Sequence, residues 1–269
     1  MTRPPLPRWA LLAALLAVAF AAVPLVGMAA RIPWARVPEL LATEAARDAT
    51  LLSLRTCAIS TVLCVLLGTP LAVVLSHSRG RLATLARTVT VLPMVLPPVV
   101  AGLALLTTLG RRGVLGAHLS AMGIEIGFTT AAVVIAQTFV AMPFLVVAVE
   151  GALRSVDTGL ERTAASLGAS PTRVLTRVTV PLVLPALVAG ATMSFARALG
   201  EFGATLTFAG SLQGTTRTLP LEIYLRRETD PDVALALALL LVAVAALLMI
   251  ASAWVARSPW RRTPAVSRG

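Results

Sequence analysis

The sequence predicts an all-α, polytopic integral membrane protein with six transmembrane helices, and three observations carry that prediction. Of its 269 residues, 57% are hydrophobic and only 13% are charged, about half the charged share of a soluble domain. Mean hydropathy is +0.88. Several charge-poor runs reach the roughly 18 residues that a helix needs to cross a bilayer, and none alternates polar and apolar residues as a strand would.

The spans are expected at approximately 9–30, 51–75, 88–109, 128–150, 181–205 and 233–255. The first follows Arg3 and Arg8 and ends near Gly27-Met28-Ala29-Ala30. A secretory leader could use the same features, but its apolar region is only about 7–15 residues long. A retained helix is therefore expected, with residues 1–48 forming that helix and an external loop.

The second span carries Cys57 and Cys64. Seven helical residues separate their Cα atoms by roughly 10 Å, too far for a disulfide, so both are expected to be packing residues. Prolines punctuate the spans at Pro70, Pro93, Pro97, Pro98 and Pro143. A proline removes a backbone donor, and in a membrane the freed carbonyl needs protein or a water-lined cavity beside it. The stretch from Leu92 to Gly102 is the densest case. Two readings stand there: a flexing segment that lines a pathway through Pro97 and Pro98, or a helix that begins with Pro93 and Pro97 near an interface.

Between the fourth and fifth spans, residues 160–185 read LERTAASLGASPTRVLTRVTVPLVLP. Asp157 or Thr158 can cap a short helix reaching Leu167, Gly168 can stop it, and Ser170-Pro171 can open a second helix running to Pro181. A short helix between turns at a membrane face suits a groove on a partner; an interfacial amphipathic helix is the other reading. In the fifth span Arg197 and Glu201 lie four apart, on one helix face. Arg197 sits roughly 24 Å along that helix from Pro181, toward the far side of a hydrocarbon core about 30 Å thick. The pair either lines the outer end of a pathway or locks this helix to a neighbour. Residues 210–232 are expected as a loop of mixed charge, with Arg217, Arg226 and Arg227 against Glu222, Glu228, Asp230 and Asp232.

Placing the N-terminus inside and alternating leaves 13 arginines inside and 8 outside. That bias favours two cytoplasmic termini, a cytoplasmic 151–180 segment and a cytoplasmic tail at 257–269. The formal charge of +11 is read as membrane orientation, and no nucleic-acid partner is expected. All 23 basic residues are arginine, so the lysine of a phosphate-binding P-loop is missing. His77 and His118 stand in no metal-ligand spacing, no nucleophile faces a base, and no catalytic or metal site is expected.

The 160–185 segment resembles the cytoplasmic loop of type I ABC importer permeases. That pattern is Glu-Ala-Ala, three residues, glycine, then about nine residues before Ile-x-Leu-Pro. Gly168 and Val178-Thr179-Val180-Pro181 keep its second half. At the triplet the chain departs, with Arg162-Thr163-Ala164 there and Glu161 one place earlier. Two further stretches look like molybdate permeases: Leu92 to Val100 followed by Gly110-Arg111-Arg112-Gly113, and Phe195 to Thr205 followed by Gly214 to Tyr224. Sulfate permeases share the Arg-Ala-Leu-Gly-Glu-Phe-Gly-Ala portion. The likeness covers roughly residues 50–255.

The resemblance implies a permease core over 49–256 with five helices and a coupling loop at about 151–180. It implies ATPase coupling through Glu161, Arg162, Ala164, Leu167, Gly168, Ala169 and Ser170. Pathway or gate residues would be Pro97, Pro98, Arg197, Gly200, Glu201 and Gly203. The implied partners are a second permease copy, a cytoplasmic ABC ATPase dimer carrying ATP and Mg, an extracytoplasmic molybdate-binding protein and membrane lipid. This chain would bind no cofactor. The expected function is oxyanion import, with molybdate foremost and sulfate or tungstate as the alternative. An ATP-independent secondary transporter would call for internal repeats, and no convincing repeat relates the two halves.

Overall fold

The computed structural model describes residues 7–156 and 158–257, and among them every regular element is helical. Helix α1 (Arg8–Ala30) is followed by a 3-10 turn at Trp34–Arg36 and the short α2 (Val37–Leu41). Next come α3 (Glu44–His77), α4 (Arg81–Val95), α5 (Pro98–Leu109), α6 (Gly116–Ala121) and α7 (Thr130–Ser155). The second half holds α8 (Gly159–Ser166), α9 (Pro171–Val174), α10 (Val180–Leu199), α11 (Gly203–Ala209), α12 (Leu219–Thr229) and α13 (Pro231–Arg257).

Five helices are long and apolar enough to cross a membrane, or six if the bent pair α4–α5 forms one span. Residues expected at 9–30, 51–75 and 233–255 fall inside α1, α3 and α13, and those at 128–150 match α7 except for the first two, which precede it. Helix α3 has 34 residues, about 51 Å at 1.5 Å per residue. It outruns the hydrocarbon core, and its polar first turns, with Glu44, Arg47 and Asp48, account for the excess.

The core is built around α7, which is the most buried of the spans. Cys57, Cys64 and Leu75 of α3 meet Leu145 and Val149 of α7 and Leu199 of α10 in one apolar cluster. Both cysteines are free and buried there. A second cluster joins Ala101 and Leu105 of α5 to Val133 and Val140 of α7 and Phe208 of α11. The third packs Leu40, Ala46 and Leu219 on Leu237 of α13. Helix α1 has no buried residue, and its outward apolar surface suits a lipid environment.

Three expectations about the elements are corrected. The 88–109 span is not straight: α4 and α5 meet at a 117° bend. Pro93 lies inside α4, whereas Pro97 and Pro98 stand as cap and first residue of α5. Two consecutive pyrrolidine rings leave no amide hydrogens for the preceding turn and push residue 96 into extended geometry, so the helix breaks there and restarts. The 181–205 span ends at Leu199, and α11 begins only at Gly203. The second helix of the 157–180 segment does not stop at Pro181. It passes through a π-turn at Leu175–Thr179 into α10, so that Pro171–Leu199 forms one candidate span. The π-turn re-aims carbonyls just where Pro181 offers no donor.

Residues 210–232 are also more ordered than a surface loop. They contain α12, and Glu222 within it is fully buried.

Candidate functional site

Two places gather the residues singled out from the sequence. The first is the α8–α9 hairpin. Thr158 stands at the cap of α8 without a side-chain hydrogen bond; the alternative cap, Asp157, lies outside the described residues. Gly168 adopts φ +82°, the left-handed conformation that ends a helix and that only glycine takes without strain. Ser170 Oγ accepts from the Arg173 amide at 3.4 Å, and Pro171 opens α9.

The hairpin has two sides. Glu161, Ala164 and Ala169 are half-buried, while Arg162, Leu167, Gly168 and Ser170 are exposed. Glu161 Oε1 accepts from Thr179 Oγ at 2.6 Å, which ties α8 to the π-turn at the foot of α10. Leu167 is 84% exposed. An apolar side chain presented so fully beside a glycine turn has the form of a residue that fills a groove on a partner.

The second place lies where two broken helices meet. Arg197 Nη2 is 2.7 Å from Glu201 Oε2, and the Glu201 side chain is 1% exposed. Glu201 is beyond the end of α10, not on it, so the expected shared helix face is corrected. Its other oxygen, Oε1, accepts from the Ala204 amide at 2.8 Å. The carboxylate thus caps the start of α11, and the guanidinium sits near the end of α10. Each charge faces the helix terminus whose dipole it complements.

Gly200 and Gly203 bracket this turn, and Gly203 brings the two breaks together. A Cβ there would fall 2.7 Å from Pro98 Cβ. Across the same contact a Cβ on Gly102 would fall 2.8 Å from the Ala204 carbonyl oxygen. Backbone-to-backbone packing of α5 on α11 therefore depends on small residues at both crossings. Gly203, two residues after Glu201, meets Pro98 in space. Pro97 stays exposed at the bend. Thr205 is fully buried in α11, and its Oγ has no hydrogen-bond partner among the described residues.

Sequence reasoning missed two ionic clusters. Glu222 Oε1 receives Arg226 Nε at 2.7 Å, and its Oε2 lies 3.4 Å from Arg217 Nη1. The i,i+4 spacing of Glu222 and Arg226 was a visible signal; the return of Arg217 was not. Glu150 Oε1 receives Arg87 Nε at 2.6 Å and Arg154 Nη2 at 2.9 Å. Arg87 also donates to the carbonyls of Leu75 and Ser78 at the end of α3. A lone glutamate closing an apolar span was the signal there. Among the described residues, no three His, Cys, Asp or Glu side chains converge as a metal cluster.

Residues 65–261 match the family described as binding-protein-dependent transport system inner membrane component. The molybdenum transport system permease protein ModB of Mycobacterium tuberculosis is 57% identical over 259 residues, covering 96% of both chains. The protein of the same name from Escherichia coli is 37% identical over 221 residues, 81% of this chain and 96% of that one. Among solved structures, a bacterial alginate ABC transporter chain superimposes with a TM-score of 0.72 at 18% identity, over 93% of this chain and 94% of its own. A chain of the MetNI methionine ABC transporter gives 0.62 at 21% identity, over 78% and 93%. At those identities the structural likeness speaks for the fold.

Proposed function

The chain belongs to the binding-protein-dependent transport system inner membrane components, and from that premise we propose that it is the permease subunit of an ATP-driven molybdate importer. The observation that carries the substrate is the 57% identity with the mycobacterial molybdenum permease across 96% of both chains. Family membership makes the chain a transport subunit that works with an ATPase and a substrate-binding protein.

In this reading the core at 49–256 pairs with a second copy, because five or six helices enclose a pathway poorly. Both termini and the α8–α9 hairpin face the cytoplasm. Glu161, Arg162, Ala164, Leu167, Gly168, Ala169 and Ser170 form the surface that couples to the ATPase dimer. ATP and Mg are bound by those partner subunits; this chain has no lysine to build a P-loop.

Closure of the ATPase dimer would draw the two hairpins together. The Glu161–Thr179 bond carries that displacement into α10, and α10 ends at Arg197. Glu201, Gly200 and Gly203 join α10 to α11, and Gly203 rests on Pro98 beside Pro97. A shift of α10 therefore reaches the break between α4 and α5 without passing through a flexible loop. The extracytoplasmic binding protein delivers the oxyanion to the opened cavity, and hydrolysis resets it. The permease needs only different contacts in its two states.

Uptake of radiolabelled molybdate tests this reading in cells that lack their own transporter and express this permease with its binding protein and ATPase. Uptake blocked by tungstate and indifferent to sulfate supports it. Suppression by sulfate makes the chain a sulfate or broad oxyanion permease. Uptake that persists with an ATPase unable to hydrolyse ATP overturns the ATP-driven mechanism.

A further inference from the structure

Two cavities open side by side where α3 ends at His77, α4 begins at Arg81 and α7 ends at Ser155. One, of about 620 Å³, is walled by Arg79, Arg87 and Arg154. The other, of about 670 Å³, is walled by Val73, Val74, Ala165, Val174 and Leu175, with Arg162 at its edge. His77, Ser78 and Glu161 border both, so the two spaces are neighbours.

The charges do not balance among the described residues. Arg87 and Arg154 share a single oxygen of Glu150, and Glu161 is engaged by Thr179. Arg79 is exposed and forms no ion pair with a described residue. Four guanidinium groups thus face two carboxylates. The surplus lies at the ends of three candidate spans, the depth of the phospholipid phosphates.

We infer that this double cavity holds an anionic phospholipid, with its phosphate against Arg79 and Arg154 and an acyl chain along Val73, Val74 and Val174. Guanidinium groups bind phosphate oxygens by charge-assisted, bidentate hydrogen bonds. An apolar groove beside the arginine cavity matches the second half of an amphiphile; a free anion has no use for it. The groove lies between α3 and the α8–α9 hairpin, so an occupying chain braces the hairpin against the bundle. The inference needs these helix ends at a membrane face and the groove left open when an ATPase sits on the outer side of the hairpin, because Glu161, Arg162 and Ala169 border the groove as well. It stands or falls independently of the molybdate reading.

The test is native mass spectrometry on the purified permease, both alone and with its ATPase bound. Phosphatidylglycerol is titrated against phosphatidylcholine of the same acyl chains, with inorganic phosphate as a separate arm. The expected result is one phosphatidylglycerol bound about tenfold more tightly than phosphatidylcholine, the equivalent of one lost charge-assisted contact. Arg79→Gln should erase that preference while the chain keeps its melting temperature in phosphatidylcholine, since Arg79 supports nothing else. Arg154→Gln should weaken it as well. Equal binding of the two lipids, or a preference unchanged in both variants, overturns the proposal. So does inorganic phosphate displacing phosphatidylglycerol at millimolar concentration, which makes the site one for a free anion.

Discussion

Arg197 and Glu201 pair at 2.7 Å across the end of a helix, and the same carboxylate accepts the Ala204 amide at the start of the next one. A buried glutamate with only a counter-ion would be a costly lock. Here it also supplies a missing cap, because the first amides of α11 have no carbonyls upstream to accept them. The pair is therefore a joint between two helices. The Arg197 side chain keeps 28% of its exposure against 1% for Glu201, so the cationic side of the joint is open to the surface of the chain and the anionic side is not.

Glu201→Gln separates the cap from the charge. Glutamine's carbonyl oxygen can still accept from Ala204, so the fold should persist, but Arg197 loses its counter-ion. Molybdate uptake is expected to fall by about tenfold or more, the effect of one lost contact to a charged group. The amount of permease in the membrane should not change. Uptake at the wild-type rate would reduce the pair to a structural lock. Arg197→Ala should harm the fold as well, by about 3 kcal/mol, because it leaves a buried carboxylate unopposed.

Gly203→Ala tests the contact between the two broken helices. The added methyl would meet Pro98 Cβ at 2.7 Å, and a proline ring cannot swing away. Overpacking of this kind costs about 1–3 kcal/mol, and here it pushes α5 from α11. Lower thermal stability and several-fold slower uptake are expected together. Gly27→Ala is the control: nothing lies within 4 Å of its Cβ position, and it should be silent in both assays.

How far this was legible from the sequence depends on the range of the interaction concerned. Spans appear in hydropathy because burial in lipid acts residue by residue, so α1, α3, α7 and α13 were visible. The hairpin was visible through Gly168 and Ser170-Pro171, whose effects reach only a turn. Pro97-Pro98 and Gly200 through Gly203 carried the right warning, yet the spans were drawn straight through them. A break inside an apolar run leaves mean hydropathy unchanged, and the approach of Gly203 to Pro98 spans over a hundred residues. Glu222 was misplaced because its burial comes from the packing of α12 on α3 and α13, which a locally polar run does not show. Sequence composition made it one charge in a polar loop, whereas Arg226 on the same helix and Arg217 from the segment before it both pair with it.

Gly168→Val should detach the permease from its ATPase. The position has open space around it, so the cost comes from the backbone at φ +82°, about 1–2 kcal/mol for a residue with a Cβ and more for a branched one. Relief of that strain would re-aim Leu167 and Ser170. Co-purification of the ATPase with the tagged permease should be lost in Gly168→Val and largely kept in Gly168→Asn, because asparagine tolerates the left-handed region. Undiminished co-purification by the valine variant would remove the hairpin from the ATPase interface.

Glu222 presents the opposite balance, one carboxylate between two arginines. Its side chain is 1% exposed, against 20% for Arg217 and 34% for Arg226. Removing the acid leaves two cations facing each other where water is scarce, and a broken buried pair costs about 3–5 kcal/mol. Removing Arg226 leaves Arg217 opposite the acid, and the loss should be smaller, about 1–2 kcal/mol after allowance for the exposure of Arg226. Glu222→Ala should therefore lower the melting temperature more than Arg226→Ala. It should also open the 211–218 segment to protease, because Arg217 holds Ser211 through both its side chain and its carbonyl. In the double variant the two losses should not add, since the groups share one interaction. Additive losses would mean that Arg217 alone satisfies Glu222 and that Arg226 is bound elsewhere.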